Sequence, residues 1–186
     1  MTSDSPSVPE IVKQLEALST SAPSDAGWPD EALLTIIRAD SSGLLARLHA
    51  CEILLRRNRQ KFLGVIGTQA AAVIYASALR ERVTDDLNPW AFLGLGELGP
   101  LGRHIVECRD DAMAELVPLL DDRQTAGIYS GSEESKEGNG DRARVCDFAA
   151  FFISRIMRVP YSFRRDSMEL RDADIDRLKE RLKASP

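Results

Sequence analysis

The sequence predicts an all-α fold, in the form of a compact bundle of antiparallel helical hairpins. Apolar residues recur at three- and four-residue spacing along most of the chain, which is the period of an α-helix. Hydrophobic residues make up 44% of the sequence and aromatic residues only 6%. Leu, Ala, Arg and Glu, all good helix formers, are abundant. The strict alternation of a β-strand is not evident, apart from a short extended piece at residues 127–129.

The length of 186 residues suits one domain with tails. We expect residues 1–28 to form a flexible polar tail, a first helix and a linker, and residues 29–182 to form a single all-α domain. Pro9 is favourable at the first position of the first helix, and apolar residues follow it at helical spacing up to residue 18. Residues 19–27 are rich in Ser, Ala and Pro and form the linker.

Three further helices are predicted in the first half of the domain. One opens at Pro29, and the next follows the capping residues 40–42. The basic run at residues 56–61 ends or exposes that helix, where cations meet the negative end of the helix dipole. Residues 66–83 are apolar on nearly all sides, which is typical of a helix at the centre of a bundle.

Proline and glycine divide the next part of the chain. Pro89 starts a short helical turn, and the glycines at 94–99 connect it to a helix that begins after Gly99. Another helix begins at Asp110, and Pro118 predicts a kink or an early end within it.

A loop of about 20 residues, from 121 to 141, precedes the last two helices. Loops of this length in a compact domain are often functional. Residues 145–156 form a strongly amphipathic helix that Pro160 ends, and Asp172 starts the last helix.

The formal net charge of −5 argues against duplex nucleic acid as the main partner, because phosphates select basic surfaces. The charge fits binding to a basic protein. Two basic groups keep a nucleic-acid role open: the run at residues 56–61 and a cluster of arginines, Arg158, Arg164, Arg165 and Arg171.

No cofactor and no metal are predicted. Residues 94–99 match the GxGxxG pattern of dinucleotide-binding proteins, but no strand precedes them and Pro100 follows directly. Tetrahedral zinc could use His49, Cys51, His104 and Cys108. However, the first two diverge by about 200° around a helix, so buried packing residues are the simpler interpretation. A Cys–His nucleophilic pair fits the same positions, but nothing in the sequence orients it.

The chain is predicted to be cytoplasmic. Its three cysteines, without a CxxC motif, indicate buried reduced thiols. The N-terminus lacks the basic and apolar regions of a secretory signal. No run reaches the ~18 apolar residues that a membrane span requires, so no membrane partner is expected.

The loop at residues 123–142 is the main candidate for a binding site. It carries an aromatic ring, hydroxyls, carboxylates and arginines; the candidate binding residues are Tyr129, Ser132, Glu133, Glu134, Arg142 and Arg144. Paired carboxylates can serve as general acid and base or hold a hard cation. The same residues also suit protein recognition, or a solvated loop with local Glu–Arg pairs. No catalytic residue is predicted.

The second half resembles HEAT-like α-hairpin repeats, from about residue 99 to residue 182. The matching segments are Leu119-Leu120-Asp121-Asp122 and Arg144 to Ile156. A further stretch is similar to one in uncharacterised bacterial HEAT-like proteins: Tyr129, Gly131, Ser132, Glu133 and Glu134. The resemblance implies that the acid after the first helix and the Val-x-Asp-x-Ala-Ala start of the second pack neighbouring hairpins together. The long loop between the helices departs from an ordinary repeat.

Stacked helical hairpins present a broad surface to partners. We therefore expect a non-enzymatic protein–protein recognition module of a bacterial cytoplasmic protein. By analogy of class, an acidic helical protein of this size suits an immunity-type inhibitor that blocks a basic toxin. The alternatives are an enzyme or nucleic-acid-handling HEAT-like protein that uses the loop carboxylates and the arginine patches, and a structural module of a larger complex.

Overall fold

The structure of the chain is a computed structural model that describes residues 6–18, 26–84, 86–131, 138–161, 163 and 167–184. Helices dominate these residues, which confirms the predicted all-α class. The α-helices are α1 (Val8–Glu16), α2 (Asp30–Arg38), α3 (Leu44–Ile66), α4 (Thr68–Arg80), α5 (Pro100–Glu107), α6 (Asp110–Leu116), α7 (Val145–Met157) and α8 (Met168–Ala184). Two 3₁₀ turns (Leu93–Leu95 and Val117–Asp121) and a hairpin of β1 (Ala91–Phe92) and β2 (Glu97–Leu98) complete the elements.

The first helix is an integral part of the core. α1 packs against α2 and α3, and its apolar residues Ile11 and Leu15 are fully buried. The ring of His49 on α3 lies 2.7 Å from the carbonyl oxygen of Leu15, measured from Nδ1. The indole nitrogen of Trp28 donates to the side-chain oxygen of Gln14 over 3.1 Å. These contacts fix the end of α1 on the domain.

Helix α3 continues beyond the basic run that was predicted to end or expose it. Asn58 breaks the helical geometry with φ −159° and ψ 91°, and the chain then resumes the helix up to Ile66. Phe62, only 2% exposed, returns to the core after the break. The helix therefore extends because its last turns bury an apolar side chain.

Part of the same basic run is paired rather than solvated. Arg57 donates to the carboxylate of Asp30 over 2.8 Å, and the ammonium of Lys61 lies 3.2 Å from the other oxygen. The hydrogen bond from Arg57, followed by that from Lys61, lowers the pKa of Asp30. These cations thus clamp the start of α2 to the second half of α3.

Gly67 turns the chain by 112° between α3 and α4. Its backbone has φ 81° and ψ 155°, a conformation that residues with a Cβ rarely adopt. Helix α4 then packs against α3, α5 and α6, so a helix lies at the centre as predicted. It covers only Thr68–Arg80 of the predicted residues 66–83, because Ile66 belongs to α3. Within the described ranges, no single helix is both long and apolar enough to cross a membrane.

The hairpin replaces the helical turn and plain connector that the sequence predicts at residues 89–99. Ala91 pairs with Leu98 and Phe92 with Glu97 in antiparallel register. Gly96, in the left-handed conformation at φ 71°, closes the turn between the strands. Strands of two residues are too short to show an alternating pattern in the sequence.

The second half of the domain is built around α7. This helix packs against α5, α6 and α8, and its rings Phe148 and Phe152 are fully buried. The α-helix before the long loop ends at Leu116 and continues as a 3₁₀ turn, as Pro118 predicts. Helix α8 begins at Met168, four residues earlier than predicted, because the hydroxyl of Ser167 accepts a hydrogen bond from a backbone amide of its first turn.

Candidate functional site

The two ends of the long loop run side by side. We call residues 124–131 and 138–145 the loop stem. Within it the amide of Ala126 donates to the carbonyl of Ala143, and the amide of Val145 donates to the carbonyl of Gln124, each over 2.9 Å. The two described ends of the loop therefore lie next to each other on the protein.

A reciprocal pair of hydrogen bonds closes the stem further out. The side-chain amide of Asn139 donates to the carbonyl of Tyr129 over 2.8 Å. Its side-chain oxygen accepts the backbone N–H of Tyr129 over 2.5 Å. One asparagine thus substitutes for a strand partner and satisfies both backbone groups of Tyr129.

The ring of Tyr129 anchors the stem in the core. The side chain is 4% exposed, and its ring centroid lies 4.8 Å from that of Phe92. Its hydroxyl oxygen accepts the backbone N–H of Leu93 over 3.4 Å. Gly138 approaches so closely that a Cβ there would lie 2.8 Å from the tyrosine ring. The structure therefore places Tyr129 as an anchor of the stem.

The outer edge of the stem is tied to the segment before the β-hairpin. Ser130 donates its hydroxyl to the carboxylate of Asp86 over 2.7 Å. Asn88 donates to the carbonyl of Ser130 over 2.7 Å, and the amide of Leu87 donates to that of Ile128 over 2.8 Å. Two separate parts of the chain therefore hold the stem in place.

The tip of the loop lies outside the described residues. Three candidate binding residues, Ser132, Glu133 and Glu134, fall within it. The six residues from Ser132 to Glu137 carry three glutamates and one lysine. The described positions on either side of this acidic stretch, Gly131 and Gly138, both belong to the stem.

The two candidate arginines have different surroundings. Arg142 is exposed, with its backbone in the left-handed region at φ 47°. Arg144 is only 7% exposed, and its guanidinium lies 3.0 Å from the carboxylate of Asp147. The structure thus leaves Arg142 exposed on the stem and places Arg144 in the interior.

Asp147 is the centre of a buried charge network. It is fully buried, and it accepts hydrogen bonds from the backbone and side chain of Arg144 and from Arg171 over 2.9 to 3.2 Å. Arg171, on α8, is 2% exposed, and it also donates to the carbonyl of Asp141 over 3.0 Å. Asp172 accepts from Arg144 over 2.7 Å at the edge of the network. Buried charges are tolerated only when paired in this way, and the pairs lock the returning end of the loop to α7 and α8.

A second buried polar cluster joins α3, α4 and α5. Glu52 is 5% exposed and accepts a hydrogen bond from the hydroxyl of Tyr75. The same carboxylate oxygen lies 2.8 Å from Nδ1 of His104. A carboxylate beside an imidazole is an arrangement used to orient catalytic bases. The adjoining pocket, however, has a volume of only about 10 Å³, far below the ~300–1,000 Å³ of small-molecule sites, so it has no room for a substrate.

Sequence reasoning did not single out Glu52. The residue lies eight positions after Leu44, on the same helical face as Leu48 and Leu55. A lone carboxylate within an apolar stripe is the signal that points to a buried partner.

The three cysteines are poorly suited to nucleophilic chemistry. Burial raises the pKa of all three thiols, that of Cys108 to about 11. The thiol of Cys108 donates to the carbonyl oxygen of His104 over 3.3 Å, whereas the ring of that histidine faces Glu52. The Cys–His nucleophilic pair that the spacing allowed is therefore not formed between Cys108 and His104.

In the described part of the chain, no group of three or more His, Cys, Asp or Glu side chains could hold a metal ion.

Comparison of the chain with known protein families, with curated proteins and with solved structures finds no match. A functional proposal therefore depends on the geometry and charge of the chain itself.

Proposed function

We propose that this protein is a non-enzymatic protein-recognition module and that the loop at residues 123–142 is its binding edge. The observation that carries the proposal is the closed stem, in which Asn139 satisfies both backbone groups of the buried Tyr129. A buried ring, a buried charge network and several backbone hydrogen bonds together hold both ends of this loop in place. A loop that is merely solvated does not need such anchoring.

Anchoring of this kind favours binding. A segment whose ends are already held loses less conformational entropy when it meets a partner, so more of the contact energy becomes affinity. Two apolar side chains here are exposed. Ile128, in the stem, is 59% exposed, and Leu95, two residues after Leu93, whose amide donates to Tyr129, is 60% exposed. Apolar side chains beside charged ones provide the mixed surface that protein interfaces use.

The charge of the loop suggests the partner. The stretch from Ser132 to Glu137 contributes a net charge of −2, since it has three glutamates and one lysine, and the whole chain carries −5. Complementary charge steers association and selects partners of opposite sign. We propose further that the partner is a basic protein. Such a partner fits a role of this chain as an immunity-type inhibitor in the bacterial cytoplasm.

HEAT-like packing of the second half belongs to the same proposal. Asp147, at the third position of the resembling helix α7, is fully buried and bridges to α8 through Arg171. The resemblance implies that the start of this helix packs neighbouring hairpins together. The loop stem is then an insertion between the two helices of one hairpin.

The proposal is tested by affinity capture from the cytoplasm of the native host. The full chain is compared with the double variant Glu133→Ala/Glu134→Ala. The double variant Glu31→Ala/Glu81→Ala removes two exposed glutamates elsewhere and changes the net charge equally. We expect the wild type and this control to capture the same basic protein, and the loop variant to lose it.

Full retention of that partner by the loop variant would overturn the loop as the binding edge. The enzyme alternative gives a different pattern. If the loop carboxylates act as general acid and base, the loop variant would still bind its substrate but would no longer turn it over. A nucleic-acid-handling protein would instead capture nucleic acid in a strongly salt-dependent way.

A further inference from the structure

A pocket of about 380 Å³ lies where the end of α7 meets the middle of α8. The described residues around it include the connection Val159-Pro160-Tyr161 and one face of α8. This volume is within the ~300–1,000 Å³ range of small-molecule sites. The pocket is at the opposite end of α7 from the loop stem.

Positive charge predominates in this pocket. Arg155 comes from α7, while Arg177 and Arg181 lie one turn apart on α8. Asp174, the one acidic residue among the described lining, forms an ion pair with Arg177. The lining therefore carries a net charge of +2 in a chain whose net charge is −5.

Arg155 is held in position before any ligand arrives. Its guanidinium donates to the carbonyl of Gly96 in the hairpin over 2.6 Å. It also stacks over the ring of Phe151 at 4.7 Å from the centroid. Arginine has five N–H donors, so this anchoring leaves donors for an oxyanion.

Tyr161 supplies an unused donor. Its hydroxyl oxygen is buried and has no hydrogen-bond partner among the residues that the structure describes. Leaving such a group unsatisfied is costly, and a ligand oxygen is one way to satisfy it. The ring itself, with Val159 and Leu178, gives the pocket an apolar wall.

We propose that this pocket, which we call the arginine pocket, binds a small organic oxyanion. Arg155, Arg177 and Arg181 hold a phosphate monoester or carboxylate group, and the hydroxyl of Tyr161 donates to it. The apolar or aromatic body of the ligand packs against Val159 and Leu178. A pocket of about 380 Å³ has room for one small ligand, whereas a nucleic-acid backbone would follow a longer basic groove.

The test is isothermal titration calorimetry of the full chain with phenyl phosphate, benzoate and neutral phenol. We expect one or both anions to bind and phenol not to bind. Tighter binding of phenyl phosphate identifies a phosphate ligand, whereas tighter binding of benzoate identifies a carboxylate. A single-stranded oligonucleotide that binds more tightly than either anion would overturn the proposal.

Variants distinguish the pocket from general charge attraction. Tyr161→Phe removes a hydroxyl that makes no hydrogen bond to the described residues, so thermal stability is unchanged or higher while anion affinity falls about five- to tenfold. Arg177→Gln weakens the anion about tenfold. Arg38→Gln, an exposed arginine of α2, removes the same charge and leaves the affinity unchanged.

Equal affinity of the anions for the wild type and both pocket variants, or binding of neither anion, would overturn the proposal. The protein-recognition function does not enter this experiment. Failure of the oxyanion proposal would leave the loop proposal intact, and failure of the loop proposal would leave the oxyanion proposal intact.

Discussion

Asn139 holds Tyr129 by both backbone groups, with 2.8 Å from its amide nitrogen to the tyrosine carbonyl oxygen and 2.5 Å from its side-chain oxygen to the tyrosine nitrogen. The two residues are ten positions apart and close the outer part of the loop stem. The buried ring of Tyr129 then joins this closure to the β-hairpin. This pair therefore links the two arms of the stem to each other and to the hairpin.

Replacing this asparagine tests the closure. Asn139→Ala removes the hydrogen bonds to both backbone groups of Tyr129, and we expect a loss of about 1–3 kcal/mol in the free energy of unfolding. Urea denaturation measures the loss, and the amide of Tyr129 should exchange faster with solvent. Gln60→Ala, an exposed site on α3, is the control and should change stability by less than about 0.5 kcal/mol. A stable Asn139 variant with a protected Tyr129 amide would contradict the closure.

The buried carboxylate of Asp147 should be far more important than exposed charges near it. Asp147→Asn leaves two buried arginines without their shared counter-ion, and we expect a loss of about 3–5 kcal/mol. Arg123→Gln removes an ion pair with Asp172 whose two side chains are 39% and 41% exposed, and should cost less than about 1 kcal/mol. Denaturant unfolding of the two variants checks the difference. Similar losses in both would mean that the network is not buried as described.

His49 makes stability depend on pH. Burial lowers the pKa of its ring below the ordinary value of 6.5, and the hydrogen bond near Leu15 only partly opposes this. As the pH falls through 6.5, the unfolded chain takes up a proton that the folded chain resists, so the free energy of unfolding decreases. We expect His49→Gln to reduce this loss between about pH 7 and pH 5, measured by unfolding curves at each pH. An unchanged pH dependence in the variant would show that His49 is not the group responsible.

Gly102 tests a close approach between α5 and the segment before the hairpin. A Cβ at this position would lie 2.0 Å from the carbonyl oxygen of Trp90. We expect Gly102→Ala to lower the free energy of unfolding by about 1–3 kcal/mol, although alanine is the better helix former. Gly64→Ala, in α3 with open space around it, should instead stabilise the protein by about 0.5–1 kcal/mol. Thermal melts of the two variants should move in opposite directions, and a shift in the same direction would refute the packing.

The helices could be predicted from the sequence because the patterns that indicate them are local. The apolar spacing over 145–156 corresponds to α7, and Pro118 marks the change from helix to 3₁₀ turn. The end of α3 was not accessible in this way. Arg57 pairs with Asp30, 27 residues earlier, and Phe62 is buried by tertiary packing, so neither effect is visible in the local pattern.

The sequence predicts the candidate site only as a segment of the chain, without its contacts. Its length and composition indicate a functional loop, but they do not show that the ring of Tyr129 packs on Phe92 or that Arg144 is buried. Both facts depend on contacts between distant parts of the chain. Arg171, which shares Asp147 with Arg144, comes from 24 residues further along the chain.

The central claim is that the acidic loop tip binds a partner protein, and the affinity of the captured partner tests it most directly. The dissociation constant is measured for the wild type, for Glu133→Ala/Glu134→Ala and for the charge-matched control Glu31→Ala/Glu81→Ala. We predict binding at least about tenfold weaker for the loop variant, with the control equal to the wild type. Equal affinities for the wild type and the loop variant would contradict the claim.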